Sequence, residues 1–226
     1  MDALRDTVLG LEEAGVRCLL LTGEGRGFSS GADLAGSGGL PDDVGQTLDD
    51  HFNPLMEALA ALPIPIVSAV NGVAAGAGCS LALCGDIILA GRSAYFLQAF
   101  INIGLVPDAG ANWLLPRFVG RARAMEMMML GERVPAETAL AWGLVNRVVD
   151  DEALMHESRA VASKLAAMPT RALGLIRRLS RDTEAATFSD ALAAERIAQR
   201  EAGRTEDFKT GVMAFLSKQP PTFTGR

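Results

Sequence analysis

Two glycine-rich loops and one aspartate hold the residues of this 226-residue chain that could do chemistry. The loops are Gly23-Glu24-Gly25-Arg26-Gly27-Phe28-Ser29-Ser30-Gly31-Ala32-Asp33-Leu34 and Asn71-Gly72-Val73-Ala74-Ala75-Gly76-Ala77-Gly78-Cys79, each directly after an apolar run. Chemistry beside a thioester carbonyl needs preorganised donors for the charge that gathers on oxygen, and a base that reaches the proton. Backbone N–H groups of glycine-rich loops entering helices supply such donors without side-chain obstruction. Asp108 supplies a carboxylate, and its sequence neighbours Leu105, Val106 and Trp113 are apolar, which favours a raised pKa. Taken singly, each loop also reads as a tight turn, and Pro107-Asp108-Ala109-Gly110 also reads as a helix N-cap.

Other chemistries find little support. The two histidines, His51 and His156, lack metal-ligand spacing, so neither a zinc site nor a histidine-based triad is expected. Gly27-Phe28-Ser29-Ser30-Gly31 has the form of a hydrolase nucleophile elbow, but the sequence reads as loop on both sides of it. Gly23-x-Gly25 is no dinucleotide fingerprint, because the third glycine is misplaced and no helix follows.

Stepping outward, the positioning elements read as α/β. Leu4, Val8, Leu11 and Val16 keep helical period, and residues 18–21 form a short buried strand. Residues 23–46 read as loop, and Leu48, Phe52, Leu55, Met56 and Leu59 mark a helix. Strands follow at 66–70 and 87–89, apolar on both faces and alternating with helix, as in a covered, largely parallel sheet. The uncharged stretch 64–84 is as long as a membrane span. Pro65 and the Asn71-Gly72 turn instead divide it into a strand, a loop and a short helix.

After Arg117 helices dominate, at 122–130, 136–142, 152–167, 171–179 and 191–200, with one strand at 145–149. An α/β core over 1–165 and a helical region over 166–226 are expected, with Gln219 to Thr222 as extended surface. Arg171, Arg177, Arg178 and Arg181 read as a solvated helix face.

Hydrophobic residues make up 49% and charged residues 21%, with a net charge of −6. A nucleic-acid partner is not expected, nor a membrane. Three cysteines in apolar or small-residue runs suggest reduced thiols and a cytoplasmic setting. The opening residues lack signal-peptide character.

Several spaced motifs together resemble the crotonase (enoyl-CoA hydratase/isomerase) superfamily. Leu21-Thr22-Gly23 through Phe28-Ser29-Ser30-Gly31-Ala32-Asp33 is similar to its first signature. Val70 through Gly78, followed by Cys84-Gly85-Asp86-Ile87, is similar to its second. Gly104 through Gly110 and Ala141-Trp142-Gly143-Leu144-Val145 match later landmarks.

The resemblance implies a spiral of ββα units with a helical C-terminal trimerisation region, and a homotrimer or hexamer acting on an acyl-CoA thioester. The apolar load of Met125, Met127, Met128, Met129 and Leu130 agrees with burial between subunits. Coenzyme A would be part of the substrate, with no separate cofactor. Family members normally begin with a strand–turn–strand segment before the first helix; this chain opens inside that helix, so those N-terminal strands are expected to be missing.

By position, the oxyanion donors fall on the N–H groups of Ala32 and Ala77. Substrate contacts fall on Ser30, Asp33, Leu34, Phe100 and Trp113, with Phe215 and Lys218 toward coenzyme A. Family hydratases use two glutamates to handle water, and Ser80 and Phe100 stand at the matching positions. Asp108 stands where some family isomerases place their acid/base carboxylate. The expectation is an isomerase, with a hydratase or an inert acyl-CoA-binding homologue as alternatives. Residues 104–120 are similar to 2-(1,2-epoxy-1,2-dihydrophenyl)acetyl-CoA isomerases of phenylacetate breakdown, while a 3,2-enoyl-CoA isomerase of fatty acid metabolism could use the same carboxylate.

Overall fold

The computed structural model describes residues 1–33, 43–183 and 185–226. Helix α1 (Asp2–Gly10) leads to strands β1 (Leu19–Thr22) and β2 (Gly27–Ser29). A helical stretch follows: α2 (Val44–Thr47), a π turn at Leu48–Phe52, and α3 (Asn53–Ala61). Next come β3 (Ile66–Val70), β4 (Val73–Ala75), α4 (Ala77–Ala82), β5 (Ile87–Gly91) and β6 (Tyr95–Leu97). The chain continues through α5 (Ala111–Leu130), β7 (Arg133–Pro135), α6 (Ala136–Trp142) and β8 (Arg147–Val149). It closes with α7 (Leu154–Ala166), α8 (Thr170–Asp182), α9 (Phe188–Ala202) and α10 (Glu206–Ser217).

The strands divide between two sheets of four, ordered β1-β3-β5-β8 and β2-β4-β6-β7. The first is parallel throughout, and the second is parallel except at β6–β7. Each of the first three turns of the chain gives one strand to each sheet and then helix, the expected spiral of ββα units, and the fourth runs β7-α6-β8. All five residues of β3 are buried, because helices cover both faces of its sheet. Leu55, Leu59, Ile66, Ile88, Phe96 and Leu115 are among the largest fully buried side chains.

Several elements depart from the sequence reading. The 23–46 loop contains β2, and the glycine-rich turn after β3 contains β4. These strands and β6 and β7 span three residues each, too few for an alternating pattern to register. A strand therefore does precede Ser30, contrary to the loop expected there; Ser29 ends it, and its hydroxyl accepts the Gly31 N–H. Helix α5 holds two helical stretches, one from Ala111 that the sequence reading lacks and one after Gly120 that is the expected helix at 122–130. Gly120 (φ 74°, ψ 161°) leaves the helical region and kinks the chain between the two, and Pro116 inside the first weakens its helical signal. Met127 and Met128 are buried in this chain's own core, while Met129 and Leu130 remain exposed. Helix α10 ends at Ser217 with Lys218 as its cap, so Phe215 and Lys218 stand at a helix end. The tail after it folds back, with the Thr224 and Gly225 N–H groups donating to the buried Asp207 carboxylate.

Three arginines of α8, Arg171, Arg178 and Arg181, keep exposed side chains as a solvated face would, and Arg177 departs from it. Arg177 is 11% exposed; it pairs with Asp86 and donates to the main-chain oxygens of Leu59 and Leu62. Arg181 donates to the Ala60 oxygen, and Arg171 and Arg178 both pair with Glu201 of α9. The end of α3 thus leaves its last carbonyls free, and α8 supplies their donors. Among the described residues no helix is long and apolar enough to cross a membrane.

Candidate active site

The two glycine-rich loops meet because their glycines let backbone approach backbone. A methyl group at Gly72 would come within 2.2 Å of the Arg26 oxygen. Asn71 ties the turn to the first loop: its carbonyl accepts the Gly23 N–H, and its amide donates to Gly23 and Gly25. Gly31 has φ +91°, and a side chain there would come within 3.0 Å of the Ala75 oxygen and 3.5 Å of the Ala77 nitrogen. Ala32, the next residue, is exposed, and Ala77 is buried.

Ala77 is the first residue of α4. The N-cap before it is Gly76, at φ 54° and ψ −130°, with no side-chain cap. An N–H in that position has no partner within its own helix. It points with the positive end of the helix dipole, so it suits an oxygen that gains charge. The Gly76 N–H donates to the Leu97 oxygen and fixes the loop to β6. Phe100 is buried, with its ring edge 3.7 Å from where a Gly76 side chain would begin.

Asp108 lies in the turn before α5. The cap of that helix is Gly110, not Asp108, and no side chain caps it. The Asp108 Oδ1 atom is buried without a hydrogen-bond partner, and burial pushes the carboxyl up to about 6. Ala109 adopts φ 50° and Gly110 φ 82°. A left-handed alanine costs roughly 1–2 kcal/mol, strain of the kind that surrounding structure must hold in place. That holding is visible. Ser80 Oγ donates to the Asp108 main-chain oxygen at 3.0 Å, and Asn112 Nδ2 donates to the Pro107 oxygen at 2.7 Å.

The expected site residues separate into groups. Gly31 packs against the Ala77 nitrogen beside Ala32, Phe100 packs on Gly76, and Ser80 links the Ala77 helix to Asp108. Ser30 and Asp33 are exposed on the first loop, and Leu34 falls outside the described residues. Trp113 lines a separate groove with Cys84, Asp86 and Arg177, and Arg117 stacks over its ring at 4.0 Å. Phe215 is 83% exposed near the end of α10, and Lys218 caps that helix in a left-handed conformation. Sequence reasoning missed the structural work of Ser80 and Asn112. Their partners are main-chain oxygens, which no residue type announces.

Among the described residues no group of three His, Cys, Asp or Glu could hold a metal ion. What the arrangement can do is move a proton with one carboxylate beside preorganised N–H donors.

Residues 2–226 match the family model described as enoyl-CoA hydratase/isomerase. The chain is 50% identical over 215 residues to the 1,2-epoxyphenylacetyl-CoA isomerase of Escherichia coli, covering 93% of this chain and 82% of that protein. It is 34% identical over 226 residues to the 2,3-dehydroadipyl-CoA hydratase of the same organism, covering 100% and 88%. The crystal structure of an enoyl-CoA hydratase from Bacillus anthracis superposes with a TM-score of 0.94 at 30% identity, over 100% of this chain and 88% of that one.

Proposed function

We propose that this chain, which belongs to the enoyl-CoA hydratase/isomerase family, is an acyl-CoA isomerase that shifts a double bond or ring through a thioester enolate. The observation that carries this reading is the Asp108 carboxylate, buried on one oxygen, unpartnered there and held near neutrality. In the proposed reaction Asp108 takes a proton from carbon. Charge then passes to the thioester oxygen, where the N–H groups of Ala32 and Ala77 receive it, and Asp108 returns the proton to a different carbon. One such donor is worth roughly 3–4 kcal/mol of barrier. The 50% identity to an epoxyphenylacetyl-CoA isomerase supports a ring-bearing acyl group.

Hydratase chemistry is the second reading, because hydratases are among the relatives. Against it, Ser80 and Phe100 offer no carboxylate at the two positions that would handle water, and both are buried. An inert acyl-CoA-binding role is the third reading. It leaves the unpartnered Asp108 oxygen without a purpose.

Coenzyme A enters as part of the substrate, with no other cofactor proposed. Ser30, Asp33, Leu34 and Phe100 are proposed contacts toward the acyl part, and Phe215 and Lys218 toward coenzyme A, while Trp113 lies in its separate groove. A homotrimer or hexamer is proposed, supported by Phe188, Met213, Phe215 and Leu216, all exposed on α9 and α10. Three free cysteines support a reducing, cytoplasmic setting.

The deciding experiment compares the protein with Asp108→Asn for isomerisation of a 3-enoyl-CoA thioester and for acyl-CoA affinity. Asparagine keeps the size but cannot take and return a proton. Rate should vanish while affinity stays; a retained rate removes Asp108 from the mechanism.

A further inference from the structure

We propose that Ser80 is a positioning residue for the Asp108 carboxylate, with Asn112 as a second strut, so that helix α4 sets both the oxyanion donor and the base. The proposal rests on the isomerase reading above.

The turn carrying Asp108 is held through its main chain. Two successive left-handed residues, Ala109 and Gly110, follow Asp108, so no regular structure fixes the peptide. The buried carboxylate oxygen makes no hydrogen bond that would orient it. What remains are the carbonyls. The Pro107 oxygen accepts from Asn112 Nδ2 at 2.7 Å, and the Asp108 oxygen accepts from Ser80 Oγ and from the Ala111 N–H, each at 3.0 Å.

Ser80 does something unusual for a helical serine. Such a hydroxyl commonly bonds back to the carbonyl one turn earlier. This one instead reaches a residue 28 positions away, from a fully buried site. It also stands three residues after Ala77, one helical turn along the same face. A single rigid turn therefore fixes the separation between the Ala77 N–H and the Asp108 peptide. Near-attack geometry is sensitive to this, since a displacement of about 1 Å can cost about a hundredfold in rate. The position that holds a water-handling glutamate in family hydratases holds, in this reading, a strut for a different carboxylate.

The test compares Ser80→Ala, Asn112→Ala and Asp108→Asn with the unaltered protein, using a 3-enoyl-CoA thioester and measuring kcat, KM, thermal midpoint and the pH profile. Ser80→Ala should lower kcat by about ten- to a hundredfold with KM within about twofold. Its acid limb should move to lower pH, because a loosened turn lets water reach the carboxylate. Asn112→Ala should act in the same direction and more weakly. Asn112 is exposed, so that variant decides the matter if Ser80→Ala does not fold. Unchanged kcat and acid limb in both, beside an inactive Asp108→Asn, would overturn the positioning role and leave the isomerase reading standing. An active Asp108→Asn would overturn both.

Discussion

Gly78 lies so close to Ser29 that a methyl group on its Cα would come within 2.6 Å of the Ser29 carbonyl oxygen, Cβ and Oγ. This contact seats α4 against the end of β2, and through it the second glycine-rich loop against the first. The distance between the proposed donors, the Ala32 and Ala77 N–H groups, depends on it. Gly78→Ala should therefore cost about 1–3 kcal/mol of stability by overpacking. It should also lower kcat by more than the unfolded fraction explains. Gly10→Ala is the control: nothing lies within 4 Å, and alanine there should be neutral or stabilising by up to about 1 kcal/mol. Thermal midpoints and kcat on both variants check this, and equal behaviour would show the contact to be slack.

Asp108 makes stability and activity depend on pH in opposite senses. Its carboxyl sits at about 6 against an ordinary 3.8, because burial penalises the charged form. The folded state therefore binds the proton more tightly than the unfolded chain. The resulting stabilisation is complete below about 3.8 and is lost as pH rises through about 6. The proposed reaction needs the charged form, so the rate should fall as pH drops below about 6. Asp108→Asn should accordingly be more stable than the parent at pH 7, by about 1 kcal/mol once the half-exposed group is discounted for solvent. That gain should disappear near pH 4. Denaturant midpoints across pH measure it, and a variant less stable than the parent at pH 7 would contradict the desolvation argument.

The sequence was legible where several residues repeat a signal. Runs such as Ile66 to Val70 and Ile87 to Leu89 declare buried strands, and Asn71-Gly72 declares the turn between sheets. Asp108 was legible mainly through the family resemblance, because Pro107-Asp108-Ala109-Gly110 taken alone reads as a helix N-cap. The three-residue strands β2, β4, β6 and β7 were not, since their pairing is decided by partners distant in sequence. Ser80 and Arg177 were misjudged for the same reason. A serine in a small-residue helix and an arginine in a basic run look inert until the oxygens of Asp108 and Leu62 are brought beside them.

Arg177 should prove one of the costlier residues to remove. Its guanidinium joins Asp86, whose other role is to accept the Ile66 N–H at the start of β3, to carbonyls at the end of α3. Arg177→Ala leaves the Asp86 carboxylate without its cation and the Leu59 and Leu62 carbonyls open, at a cost of about 1–3 kcal/mol. Arg177→Lys should recover little, because an ammonium cannot fork to three oxygens in one plane. Denaturant unfolding measures both, and a loss under about 1 kcal/mol for the alanine variant would show the cluster to be weak.

The proposed trimer or hexamer gives a sharp measurement. Phe215 and Leu216 are more than two-thirds exposed on α10, as is Phe188 on α9, and such residues favour burial against another copy. Light scattering at micromolar concentration should give three or six times the chain mass. Leu216→Asp should lower that mass while leaving the α/β core folded. A stable monomer in the unaltered protein would end the proposal.

Hydration of crotonyl-CoA should be negligible, and the reason lies in two side chains. Adding water across a conjugated double bond requires a carboxylate that activates the water and a group that delivers the proton. By the family resemblance Ser80 falls on one of the two glutamate positions; it is fully buried, with its hydroxyl donated to the Asp108 peptide. Phe100 falls on the other by the same resemblance, and its ring packs beside Gly76. Neither accepts a proton from water, and losing a general base lowers a rate by a factor of about 10²–10⁴. Phe100→Glu alone should not restore hydration, because Ser80 still supplies no second carboxylate. The absorbance of the conjugated thioester reports the reaction directly. Crotonyl-CoA turnover of the same order as isomerase turnover would mean that Asp108 handles water, and the isomerase reading would give way to the hydratase one.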